Sequence, residues 1–339
     1  MPQKIRVAQI GLGPIGVKVT RYLLLRKVFE LCGAFDSDPA KAGLDAGELA
    51  DGPPSGLNVT DDLSRLADCG AQVAVLTTAS SLAACEDSII KAVEAGLHVV
   101  STCEELAYPW LTQPALSSRL DAAAKARGVA ILGAGVNPGF MMDFLPAAVS
   151  GVCLDVRGVR AERVQDASRR RLPFQNKIGA GLPLEEFHRR VREKTLRHVG
   201  FTESMHMIAA RLGWTLDRVE DVVEPVLTQA AITAGDTTVE AGRAIGVRQM
   251  GRGWRDGREL STLAFRATIG EAESYDRIRI EGVPDIEVKI PGGVNGDIAT
   301  CAITVNAIPT VINAAPGLRT MADIAPVTCF NASGSGHPE

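Results

Sequence analysis

Val7-Ala8-Gln9-Ile10-Gly11-Leu12-Gly13-Pro14-Ile15-Gly16 reads as an apolar strand that runs into a G-x-G-x-x-G turn and opens a helix over 17–25. A second strand over 29–35 follows and delivers Asp36, 20 residues beyond Gly16. Each glycine has its own duty: Gly11 permits the tight strand-to-helix turn, Gly13 lets the backbone approach a pyrophosphate, and Gly16 lets the helix lie against its strand. The unpaired amides and positive dipole end of the helix then face the phosphates. Asp36 stands where ribose hydroxyls would lie, so Gly11, Gly13, Pro14, Ile15, Gly16 and Asp36 predict a dinucleotide site. A glycine-rich turn without a ligand would leave the strand, the helix and the acid unaccounted for.

The alternation continues. After the turn Asp38-Pro39 comes a short helix, and Asp61-Asp62 read as the start of another. Strands over 71–78, 97–101 and 129–132 alternate with helices over 85–95 and 115–127, the last two helices closed by Gly96 and Gly128. This order predicts an α/β Rossmann domain, a doubly wound parallel sheet, over 1–145. From about Val156 the pattern changes to strands at 156–164, 260–268, 275–281 and 286–290 around helices at 184–192 and 202–212. Turns replace crossover helices, which predicts a second, α+β domain over 146–295 with an open, largely antiparallel sheet, built for substrate binding and dimerisation. A helix over 296–311, capped by Asn295 or Asp297, returns with the segment to 330 to complete the first domain. The Gly/Ser-rich tail 331–339 is expected to be disordered.

Composition narrows the function classes. Of 339 residues, 46% are hydrophobic and 22% charged, with a net charge of −4 and no long cationic block, so nucleic acid is not an expected partner. No apolar run reaches the roughly 18 residues needed to cross a bilayer, and Met1-Pro2-Gln3-Lys4 enters a strand at once, so a soluble cytoplasmic protein is expected. The 7 cysteines form no C-x-x-C pair and the 5 histidines no ligand motif, so reduced thiols and no metal are expected.

Ligands of open parallel sheets bind beyond the carboxyl ends of the strands, so residues just after each strand are the candidates for chemistry. Ser37 follows Asp36. Thr77, Thr78 and Ala79 would wall the ribose or nicotinamide, or cap the next helix. Glu104 and Glu105 are two carboxylates at the mouth of an apolar cleft, where one could take a proton from a nucleophile or hold a cationic intermediate. Spacing alone does not separate them. Asn137 lies in the next such loop, Gly135-Val136-Asn137-Pro138-Gly139-Phe140, and Phe140, Met141 and Cys301 would line a pocket suited to a small aliphatic ketone or amine. His198 either touches substrate or packs in the core. The run Arg169-Arg170-Arg171 either clamps a carboxylate or covers a solvated or subunit-facing surface.

With these residues assembled, the chain resembles the 2,4-diaminopentanoate dehydrogenase family, which includes native amine dehydrogenases and is related to the nucleotide domain of dihydrodipicolinate reductase. The resemblance covers nearly the whole chain and rests on Gly11 to Gly16, Ser101-Thr102-Cys103-Glu104-Glu105-Leu106-Ala107-Tyr108-Pro109, Gly135 to Asp143, Lys177-Ile178-Gly179-Ala180-Gly181, Asn306-Ala307-Ile308-Pro309 and Pro316-Gly317-Leu318. It implies an NAD(P)-dependent oxidoreductase of CH–NH2 groups, a homodimer, and an amine-handling role for Glu104, with Glu105 the nearby alternative. Two departures shape the expected substrate. Leu263-Ala264-Phe265 offers no side chain for a substrate carboxylate, which points to a simple amine, ketone or aldehyde with ammonia ahead of a diamino acid. The His-His pair and lysine of dihydrodipicolinate reductases are also missing. The expectation is an amine dehydrogenase using NAD or NADP. The alternatives are a 2,4-diaminopentanoate dehydrogenase proper and a non-catalytic NAD(P)-sensing regulatory protein.

Overall fold

The computed structural model describes residues 4–329 apart from 169, 171, 235 and 236. The tail 331–339 and the outer two arginines of the 169–171 run therefore lie outside the described residues. In chain order the elements are β1 Ile5–Ile10, α1 Pro14–Leu25, β2 Phe29–Phe35, α2 Ala46–Leu49, β3 Val73–Leu76, α3 Leu82–Glu94, β4 His98–Ser101, α4 Pro114–Arg127 and β5 Ala130–Gly133. There follow α5 Phe144–Val149, β6 Asp155–Asp166, α6 Leu172–Lys177, α7 Leu184–Arg192, α8 Phe201–Arg211, β7 Arg218–Leu227, β8 Ile232–Ala234, β9 Thr237–Val239, β10 Ala244–Arg255, β11 Arg258–Thr268, β12 Tyr275–Val283 and β13 Ile286–Pro291. The chain closes with α9 Gly296–Ile312 and β14 Gly317–Arg319.

Two compact units emerge: Met1–Phe140 with Asn295–Glu339, and Met141–Val294. In the first, a parallel sheet runs β14-β5-β4-β3-β1-β2. Its central strands are short and largely apolar because both faces are covered; every residue of β3 and β5 is buried. From β1 the chain steps outward to β2, then back across β1 to β3, β4 and β5. Right-handed crossovers therefore put α1 on one face and α3 and α4 on the other, with α9 packed on α1. Leu76, Leu82, Ile89, Leu120 and Ile131 fill the core between sheet and helices, each contributing on the order of 1.5–3 kcal/mol by leaving water. Helix ends follow local chemistry. Pro114 opens α4, Gly128 ends it at φ +70°, and Asn295, not Asp297, caps α9 by accepting from the amides of Asp297 and Ile298. The Asp61-Asp62 start yields only a 3-10 turn, Leu63–Ala67, in which Asp62 accepts from the Ser64 amide.

In the second unit a six-stranded sheet runs β13-β12-β6-β11-β10-β7, antiparallel except where β6 meets β11, and β8 and β9 form a separate hairpin. Strands β7 and β10 escape the sequence reading. β7 is a half-buried edge strand, where charge and Pro225 are tolerated. β10 is broken by Gly246, Gly251 and Gly253. A Cβ on Gly251 would lie 3.0 Å from Phe201 and 3.1 Å from Met205, so α8 packs too closely on the sheet for a side chain there. The boundary falls at Phe140, ahead of position 145 read from the sequence, because Asp143 is held within the second unit: its Oδ2 accepts from Ser204 Oγ of α8 at 2.8 Å. At the other boundary, the buried Arg163 and Asp276 pair at 3.0 Å and grip Val294 from both sides, Arg163 Nη2 donating to its carbonyl at 2.8 Å and its amide donating to Asp276 Oδ2 at 2.7 Å. Removing one partner of such a buried pair typically costs about 3–5 kcal/mol. Among the described residues no helix is long and apolar enough to cross a membrane.

Candidate active site

In the first unit the strand order reverses between β1 and β3, the position where doubly wound sheets open a ligand crevice. Gly11 sits there at φ +87°, and a Cβ on it would lie 2.8 Å from the Thr77 carbonyl oxygen. One on Gly16 would lie 1.9 Å from the Gly11 carbonyl oxygen. These two glycines serve the protein's own packing. Gly13 differs: a Cβ there meets no protein atom within 4 Å, so nothing in the fold demands glycine, whereas a pyrophosphate lying on the backbone would. No side chain caps the first turn of α1, and Pro14 at its start has no amide to satisfy. The amides that follow at Ile15 and Gly16 are thus available to an anion, and the residues present fit a dinucleotide phosphate.

Gln9, missed from sequence, holds this turn together. It is fully buried, and its Nε2 donates to the Gly11 carbonyl and to Thr77 Oγ1, both at 2.8 Å. A polar residue inside an otherwise apolar strand was the available signal. The Thr77 hydroxyl is itself spent on the Gly11 carbonyl at 2.8 Å, which makes Thr77 a support behind the turn, while Thr78 Oγ1 contacts Cys85 Sγ at 3.5 Å and the Ala79 carbonyl accepts from the same thiol at 3.5 Å.

Asp36 ends up beside the turn. Its Oδ2 accepts from the Leu12 amide at 2.6 Å and from Lys41 Nζ at 3.0 Å, and its Oδ1 from the Asp38 amide at 2.9 Å. Partial burial works against the charge, but these donors outweigh it and hold the carboxyl below its ordinary range. Ser37 is exposed next to it.

Glu104 and Glu105 open a 3-10 turn at the carboxyl end of β4 and part company there. Glu105 Oε2 accepts from the Leu82 amide at 2.8 Å and from Gln113 Nε2 at 2.6 Å, so it braces the first turn of α3. Gln113 carried no sequence signal. Glu104 is half-buried and, among the described residues, has no hydrogen-bond or ion-pair partner; the buried thiols of Cys85 and Cys103 feel its charge. The loop after β5 is tightly folded: a Cβ on Gly139, at φ +120°, would lie 2.8 Å from Gly135 backbone atoms. It brings Asn137 and Phe140, both half-buried, to the same strand end. Cys301, expected to line the pocket, is fully buried against the start of α1, its Sγ 3.8 Å from the Ile15 carbonyl oxygen.

In the second unit Met141 is buried and His198 keeps some accessible surface. The ring of His198 lies 5.1 Å from that of Phe265 and 5.6 Å from that of Phe201, with Nδ1 at 2.8 Å from the Val199 carbonyl oxygen. Burial, then the nearby Lys177 and Arg163 charges, push its pKa down to about 3 against the pull of that carbonyl. The imidazole therefore stays neutral at working pH. An unfolded chain takes up this proton near pH 6.5 and the native one only near 3, so the histidine draws stability away as pH falls through that window. The C2 proton resonance of His198 is expected to show no titration between about pH 5 and 8; a midpoint inside that range would contradict the placement.

Comparison with known proteins accords with this geometry. A family model described as the 2,4-diaminopentanoate dehydrogenase C-terminal domain matches residues 140–335. The chain is 32% identical to a 2,4-diaminopentanoate dehydrogenase of Acetoanaerobium sticklandii over 95% of its own length and 94% of the relative's. It is 24% identical to an amine dehydrogenase of Streptomyces virginiae over 93% and 94% of the two chains. The solved structure of an amine dehydrogenase from Mycobacterium smegmatis superposes with a TM-score of 0.84 at 25% identity, covering 96% of this chain and 98% of that one. At 32% identity over nearly the whole of both chains, and with the family model over 140–335, the chain belongs to the 2,4-diaminopentanoate dehydrogenase family.

Proposed function

We propose that the protein is an NAD(P)-dependent amine dehydrogenase that interconverts a small aliphatic ketone or aldehyde plus ammonia with the corresponding amine. The observation that carries this reading is Glu104, a half-buried carboxylate without a partner among the described residues, on the same strand-end side of the sheet as the glycine turn. In the reductive direction Glu104 takes a proton from ammonium so that ammonia can attack the carbonyl, returns a proton to the departing hydroxyl as water leaves, and as a carboxylate stabilises the iminium cation. A bound nicotinamide supplies the hydride that reduces the iminium carbon. The turn at Gly13 and the amides after Pro14 hold the phosphates, and Asp36 accepts from the ribose hydroxyls. Lys41, already 3.0 Å from Asp36, is placed to meet a 2′-phosphate, so we assign use of NADH with tolerance of NADPH. A homodimer, as the family resemblance implies, and a cytoplasmic location complete the reading.

A second reading, a 2,4-diaminopentanoate dehydrogenase, is favoured by the 32% identity to such an enzyme. Following coenzyme absorbance with ammonium and cyclohexanone, with cyclohexylamine, and with 2,4-diaminopentanoate separates the two. Turnover of the simple amine and ketone is expected, with NADH preferred, and Lys41→Ala is expected to weaken NADPH about tenfold more than NADH. Turnover of the diamino acid alone moves the assignment to the second reading. Tight coenzyme binding with no turnover of any of them makes the protein a sensor.

A further inference from the structure

The peptide that joins Gly11 to Leu12 is held at both ends. Its carbonyl accepts from Gln9 Nε2 and from Thr77 Oγ1, both at 2.8 Å, and Gln9 Nε2 also donates to Thr77 Oγ1 at 2.8 Å, so three groups close a ring. Thr77 has a single hydroxyl proton, which goes to the carbonyl, and its oxygen receives the Gln9 proton; every bond in the ring thus has one direction. At the other end the Leu12 amide donates to Asp36 Oδ2 at 2.6 Å, a short bond to a charged acceptor. The Gly11 amide is tied to the Phe35 carbonyl at 2.7 Å. A peptide that follows glycine rotates with little steric hindrance, and Gly11 stands at φ +87°, so these partners hold its plane where backbone preference does not.

Asp36 is largely committed to the protein. A carboxylate offers about four acceptor positions. The Leu12 amide and Lys41 Nζ, the latter at 3.0 Å, take both on Oδ2, and the Asp38 amide takes one on Oδ1 at 2.9 Å. What remains on Oδ1 suffices for a single ribose hydroxyl. The side chain is only 10% exposed, and the Lys41 ammonium beside it offsets its charge. An acid engaged in this way discriminates weakly against a 2′-phosphate, yet its loss would release the Leu12 amide.

We infer that Asp36 is a positioning residue for the pyrophosphate. With Gln9 and Thr77 it fixes the Gly11–Leu12 peptide, and so keeps the turn in the one shape that brings Gly13 and the amides after Pro14 to the same anion, while the choice between the two coenzymes falls to Lys41. This inference rests on the coenzyme site of the proposed function and is independent of its amine chemistry.

Binding of NADH, NADPH and 2′,3′-dideoxy-ADP to the full-length protein tests it by calorimetry. The last probe carries the diphosphate and no ribose hydroxyl for Asp36. Asp36→Ala is expected to weaken all three about ten- to hundredfold, and Asp36→Asn, which keeps an oxygen for the Leu12 amide, to recover most of that loss. Thr77→Val preserves shape and carries the test if Asp36→Ala does not fold; it should weaken all three about fivefold with the NADPH-to-NADH ratio unmoved. In the apoprotein the Leu12 amide proton is expected to resonate far downfield and exchange slowly, and to lose both features in Asp36→Ala. The inference is overturned if Asp36→Ala leaves 2′,3′-dideoxy-ADP affinity unchanged, if it strengthens NADPH while weakening NADH, or if the wild-type Leu12 amide exchanges freely. No readout involves an amine, so a protein that binds coenzyme as expected and turns over no amine counts against the amine dehydrogenase reading alone.

Discussion

Glu104→Gln is expected to lower amine-dependent turnover by about 10²–10⁴-fold while leaving coenzyme affinity within about twofold. The substitution keeps the side chain's size and removes only its capacity to take and return a proton and to face an iminium with a full negative charge. Glu105→Ala should behave in the opposite way. It deprives the Leu82 amide and the Gln113 side chain of a shared acceptor, which costs on the order of 1–3 kcal/mol of stability, but it leaves kcat within a few-fold once the variant is folded. Steady-state kinetics together with thermal melting check both. Glu104→Gln with wild-type kcat would remove the assigned role, and the reversed pattern would transfer it to Glu105.

The second large effect concerns the glycine turn. Gly13→Val is expected to fold with an unchanged melting temperature, since its new side chain enters open space, and to lose coenzyme affinity by on the order of 100-fold, or ~2.7 kcal/mol. Gly16→Ala is expected to fail differently. Its Cβ would lie 1.9 Å from the Gly11 carbonyl oxygen and 2.6 Å from Thr77 Oγ1, so the helix must leave its strand and the protein loses stability. Intrinsic fluorescence titration with NADH, beside calorimetric melting, separates a ligand-facing glycine from a packing one. Undiminished NADH binding by Gly13→Val would show that the pyrophosphate does not lie on this turn.

Much of the first unit was legible because its determinants are local. The buried strands around Val75 and Val100 are continuous apolar runs, Gly96 and Gly128 stop helices, and the spacing from Gly11 through Gly16 to Asp36 carries its own geometry. The second unit was read less fully. β10 contains three glycines whose reasons lie in segments elsewhere in the chain, Gly246 against the β11 backbone, Gly251 against α8 and Gly253 against Ser261 and Leu216, and β7 is half-buried at an edge and has no clean alternation.

What the residues determined alone is the kind of protein: a strand, a three-glycine turn and a distant acid are short-range features, each with a backbone requirement that little else satisfies. Tertiary structure alone decided which glutamate is engaged by the fold's own hydrogen bonds. Adjacent carboxylates are equivalent in sequence, and they become different only when the fold brings the first amide of α3 and Gln113 to Glu105 and, among the described residues, brings no donor to Glu104. A hydrogen-bond partner is a property of position in space, and the sequence separation of 23 between Leu82 and Glu105 conceals it from any reading along the chain.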